Sequence, residues 1–96
     1  MENIRVYKSI SPGGHEGFAL RYSNSSLSTE FTNLKIGAKI VKKLIRQWQN
    51  RGYLHVSIDF SPYHDIEYNP TSEVQLCKPL SEEEKKEFWK NFSKIK

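Results

Sequence analysis

At Gly52 the hydrophobic period of the chain changes, and this change limits the possible folds more than any other feature. Before it, between residues 34 and 50, Leu34, Ala38, Val41, Ile45 and Trp48 recur at steps of three and four. That is the period of an amphipathic helix. Arg51-Gly52 supplies a cation and a left-handed stop at its end. Straight after it, Leu54, Val56, Ile58 and Phe60 alternate with Tyr53, His55, Ser57 and Asp59. That is the period of a half-buried strand. One strong helix joined by a glycine to one strong strand argues for an α+β chain.

The flanks extend this pattern. Ile4, Val6 and Ile10 share one parity against Arg5, Tyr7 and Ser9, which reads as a strand. Residues 11–17, S-P-G-G-H-E-G, form a turn. Phe18, Leu20 and Tyr22 then alternate with Ala19, Arg21 and Ser23, giving an N-terminal hairpin. Residues 23–32 read as a loop anchored by Leu27 and Phe31, with Thr32 or Asn33 capping the helix. Residues 61–72 read as turns. Residues 73–78 read as a fourth strand with Val74 and Leu76 inward. Ser81 and Glu84 form a capping box before a last helix whose apolar stripe is Phe88, Trp89, Phe92 and Ile95.

The expected fold is a small single α+β domain over residues 1–96, in the order β-β-α-β-β-α. About four strands form a mixed or antiparallel sheet. The central amphipathic helix packs on one face and the C-terminal helix covers an edge or end.

Ile, Leu, Val and Phe make up 24 of the 96 residues, enough for one small core. The single cysteine, Cys77, excludes an intrachain disulfide and a multi-cysteine zinc site, and fits a reducing compartment. No run approaches the roughly 18–20 apolar residues of a membrane span. The first five residues, M-E-N-I-R, lack the basic and apolar regions of a signal peptide. The expectation is a complete cytoplasmic chain with no membrane partner.

Charge is segregated. The chain carries 15 Lys and Arg against 11 Asp and Glu. Between residues 32 and 52 stand Lys35, Lys39, Lys42, Lys43, Arg46 and Arg51, with no acid. Helical geometry puts Lys35, Lys39, Lys42 and Arg46 along one side, opposite Val41 and Trp48, with Lys43 beside them. Like charges at i and i+4 cost about 0.2–0.5 kcal/mol each in isolated helices. A chain with no anionic partner gains nothing from them. Conversely, Asp59, Asp65, Glu67 and Glu73 fall in a stretch without Lys or Arg. The two segments neutralise each other within the fold, pair between copies in a homodimer, or serve partners.

Signatures of catalysis are missing. No phosphate-loop lysine motif, dinucleotide fingerprint or nucleophile elbow occurs. His55 and Asp59 share a strand face but lie about 13 Å apart, too far to hold one ion. No catalytic, metal or cofactor-binding residue is therefore assigned, and no cofactor is expected. Tyr7, Tyr53, Tyr63 and Tyr68 fall on polar parity or in turns, and exposed tyrosines anchor protein partners.

The leading expectation is a non-enzymatic binding or regulatory protein, of the kind that inhibits a host protein or nucleoprotein complex. It contacts a protein partner through Tyr63, Asp65, Glu67 and Tyr68. The alternative is DNA or RNA binding through Lys35, Lys39, Lys42, Lys43 and Arg46. A third is a small metal-independent nuclease using His55 or His64.

Overall fold

The computed structural model describes residues 2–23, 28–53, 55–68 and 74–95. Elements follow in the order β1 (Glu2–Ile10), β2 (Glu16–Tyr22), β3 (Thr29–Phe31), α1 (Leu34–Asn50), β4 (Val56–Asp59), β5 (Ile66–Tyr68), β6 (Val74–Lys78) and α2 (Glu82–Lys94). The six strands form one mixed sheet. Its main path runs β3-β2-β1-β6-β5, with β4 paired to β1 off that path.

The strand β1 organises the sheet. One of its edges pairs antiparallel with β2, from Ile4↔Tyr22 to Ile10↔Glu16. Its other edge is shared. The first half pairs in parallel with β4, from Glu2↔Val56 to Arg5↔Asp59. The last three residues pair antiparallel with β6, from Lys8↔Lys78 to Ile10↔Leu76. A parallel pair needs a long crossover, and α1 lies within it.

Both helices cover one face. Ile4, Val6, Leu20 and Phe31 from the sheet meet Leu34, Ala38, Val41 and Trp48 of α1. Leu80, just before α2, and Phe88, in the middle of it, complete this core. Asn33 caps α1, its side chain accepting from the Ile36 N–H at 3.0 Å. The Ser81–Glu84 capping box forms as the sequence reads: the Glu84 N–H donates to Ser81 Oγ at 3.2 Å and the Ser81 N–H to Glu84 Oε1 at 2.9 Å. Gly52 takes a φ of +95°, the left-handed stop after α1.

The structure corrects the sequence reading at three points. There are six strands rather than four, because β3 and β5 form in segments read as loop and turn. At three residues each they are too short to show alternation, and pairing with β2 and β6 makes them strands. In β6 the inward parity is reversed: Gln75 and Cys77 are buried, while Val74 and Leu76 are exposed. The helix-covered core does not extend to Val74 and Leu76. Tyr7, on the polar parity of β1, is fully buried. The anchor Leu27, the strand residue Leu54 and the acid Glu73 lie outside the described residues.

Burial of Tyr7 and Cys77 follows from the curvature of the sheet. The Gln75 amide on β6 donates to Glu30 Oε1 on β3 at 2.5 Å. Two strands separate β6 from β3, about 14 Å in a flat sheet. A Gln and a Glu side chain do not span that distance. The sheet therefore bends toward its helix-free face, which encloses Tyr7, Ala19 and Cys77 as a second buried cluster.

Candidate functional site

Two surfaces carry the chemistry, one on each side of the sheet. The first is the outer side of α1. Lys35, Lys39, Lys43 and Arg46 are exposed, and Lys42 is half-buried. The Lys42 ammonium sits 4.5 Å from the centre of the Phe92 ring, so α2 borders the stripe. From Lys35 to Arg46 the stripe runs about 16 Å at 1.5 Å per residue. Gln47, Gln49 and Asn50 extend the polar surface beyond it.

Nothing described neutralises this stripe. Among the described residues, the ion pairs are Lys8–Glu16, Lys8–Glu84, Arg21–Glu67 and Lys85–Glu82, and none includes a cation of α1. Between residues 82 and 94, α2 carries four acids and four lysines, so it adds no net charge. No acid occupies the first turn of α1. Lys35 stands there instead, where the helix dipole disfavours a cation. Among the described residues, the five cations of α1 thus have no ion-pair partner.

Two carboxylates of the acidic segment do not answer them. Glu67 and Asp59 project to the helix-free side. The Tyr7 hydroxyl donates to the Glu67 carboxylate at 2.7 Å, and Arg21 Nη1 lies 3.6 Å from it. Asp59 Oδ2 accepts from the Asn3 amide at 2.6 Å. The sheet separates these carboxylates from α1.

The second surface is this helix-free face. Tyr63 lies over Arg5 and Arg21, with guanidinium carbons 4.4 and 5.4 Å from its ring centre. Its hydroxyl donates to Asn3 Oδ1 at 3.1 Å. Arg5 and Arg21 are register neighbours, and like charges directly opposite repel. The Tyr63 ring and the Glu67 carboxylate offset that repulsion. A cavity of about 250 Å³ opens beside them, lined by Arg21, Ser28, His64, Ile66, Glu67 and Tyr68. A second, of about 300 Å³, lies toward the β1–β2 turn, among Ser9, His15, Phe18, Glu30 and Gln75.

Burial alters two acids here. Desolvation, reinforced by the Glu67 hydrogen bond and charge, pushes the Tyr7 hydroxyl far above its ordinary range. Burial first, then the charges of Glu67 and Asp65, pushes the Cys77 thiol up to about 11. Cys77 is thus a neutral thiol at physiological pH, unlike a reactive cysteine.

The residues expected to meet a protein partner separate. Tyr63, Asp65 and Tyr68 are exposed. Glu67 is 9% exposed, and its carboxylate is occupied by Tyr7 and Arg21, so it supports the face from within. The five basic residues stay together on α1. Of the histidines, His55 is exposed and His64 lines the smaller cavity. Among the described residues no three His, Cys, Asp or Glu side chains gather where they could hold a metal ion. No described helix is long and apolar enough to cross a membrane.

Sequence reasoning missed Tyr7, Arg21 and Gln75 as parts of the polar face. Their polar parity was visible. The partners, Glu67 at 60 residues from Tyr7 and Glu30 at 45 from Gln75, were not. No family model, curated protein or solved structure matches this chain.

Proposed function

We propose that the protein is a non-enzymatic binding protein whose main contact surface is the exposed side of α1. Its partner is a nucleic acid, free or within a nucleoprotein complex. One observation carries this reading: five cations line one helix face with no described acid paired to them. Such a face is costly in isolation, because its charges repel each other and oppose the helix dipole. Phosphates lift that cost, and each one neutralised releases a counterion. The polar Gln47, Gln49 and Asn50 suit contacts to sugars or base edges.

The test is affinity for labelled single- and double-stranded DNA and RNA, measured by fluorescence anisotropy at low salt. Lys39→Glu with Lys43→Glu is expected to abolish binding while the fold, followed by circular dichroism, stays intact. Unchanged affinity in that double variant would sink the proposal.

A further inference from the structure

The sheet ends in an edge that α1 does not cover. We propose that β5 accepts an extended segment of a protein partner as an added strand, and that this segment alternates apolar with basic residues. The proposal is independent of phosphate binding by α1.

Three observations converge on β5. It is the last strand of the sheet, and among the described residues it pairs only with β6. Its outer main-chain groups are therefore placed to continue the ladder. Next to that edge is an apolar shelf. Ile66 pairs with Leu76 and Tyr68 with Val74, so all four side chains share one face. They are 48%, 48%, 69% and 41% exposed. Such a patch is on the order of a few hundred Å². A stable globular interface needs about 800 Å² on each partner. The shelf is too small for a second copy of the chain and has the width of one strand.

The third observation is the cavity of about 250 Å³ beside β5. All three residues of β5, of both parities, contribute to its wall. An added strand points alternate side chains to opposite faces. One set lies on the shelf and the other reaches the cavity, as in strand-addition recognition. Charge selects the second set. Arg21 and Glu67 already pair in the cavity wall, which leaves the exposed Asp65, next to Ile66, as the charge with no ion partner among the described residues. A basic residue fits that charge and an acidic one does not.

The experiment uses the full chain and three fluorescein-labelled seven-residue peptides. One alternates Lys and Val, one alternates Glu and Val, and one is the Lys–Val peptide with alternate backbone amides N-methylated. The expected result is saturable binding of the Lys–Val peptide, with the largest amide chemical-shift changes at residues 66–68. N-methylation, Ile66→Asp and Tyr68→Ala each weaken it at least tenfold. The Glu–Val peptide does not bind, and Lys39→Glu with Lys43→Glu changes nothing. Equal binding of the N-methylated peptide, shift changes confined to α1, or no saturation at millimolar peptide would overturn the proposal. So would a dimer that buries β5 and excludes the peptide.

Discussion

Gly37 lets α1 lie against the ring of Phe31. A Cβ at this position would fall 2.6 Å from Phe31 Cζ. Phe31 is buried and stacked on Phe18 with ring centres 5.8 Å apart, so it has little room to move. Alanine is the better helix former by about 1 kcal/mol. Overpacking costs about 1–3 kcal/mol and is expected to win. Gly37→Ala should lower the melting temperature by several degrees, read by thermal circular dichroism. A rise would mean that the ring yields freely. Tyr7→Phe removes the hydroxyl donor from a buried carboxylate. It should cost about 1–3 kcal/mol in urea unfolding. The same cluster sets an alkaline limit. Cys77 and Tyr7 stay protonated in the fold, whereas the unfolded chain ionises them from about 9 and 10 upward. Above those values the unfolded state binds fewer protons, so stability falls as pH rises. Cys77→Ala should flatten the fall between pH 9 and about 11 in a series of urea melts.

Elements differ in how openly the sequence declares them. The helix α1 was legible because a 17-residue run with period 3.6, a capping residue at Thr32 or Asn33 and a Gly stop all agree, and the structure selects Asn33 as the cap. The helix α2 was legible from the Ser81–Glu84 capping box together with the apolar stripe of Phe88, Trp89, Phe92 and Ile95. Its cap is also a tether, since Glu84 Oε2 lies 3.5 Å from Lys8 Nζ on β1. Burial alone would raise the Glu84 pKa, but the Ser81 hydrogen bonds and Lys8 hold it below the ordinary value. That contribution is present above the unfolded value and is lost as pH falls through the folded one. Ser81→Ala should cost about 1 kcal/mol by urea unfolding. It should also steepen fraying of the first turn of α2 in amide exchange. By contrast, β3 and β5 exist only through pairing. The parity of β6 was misread because alternation identifies two faces and does not say which is enclosed. Val74 and Leu76 look like core residues until the limit of the helix-covered core is known.

At the scale of the molecule, the sheet works as a partition. The basic stripe was legible residue by residue from helical periodicity. Whether the acidic segment neutralised it was not, because that depends on which side of the sheet each segment reaches. The fold puts Glu67 and Asp59 behind the sheet and leaves α1 facing outward. The same partition gives the β5 edge its own surroundings, so the two surfaces should be separable by mutation.

The most direct measurement is the salt dependence of binding to a short DNA duplex, for the wild type and for Lys39→Glu with Lys43→Glu. Each phosphate neutralised contributes about −0.9 to the slope of log affinity against log salt. Five cations on α1 set a wild-type slope of roughly −3 to −4.5 on that scale, with affinity in the double variant too weak to measure even at the lowest salt. A slope near zero, or a steep slope that survives the double reversal, would contradict phosphate binding by α1.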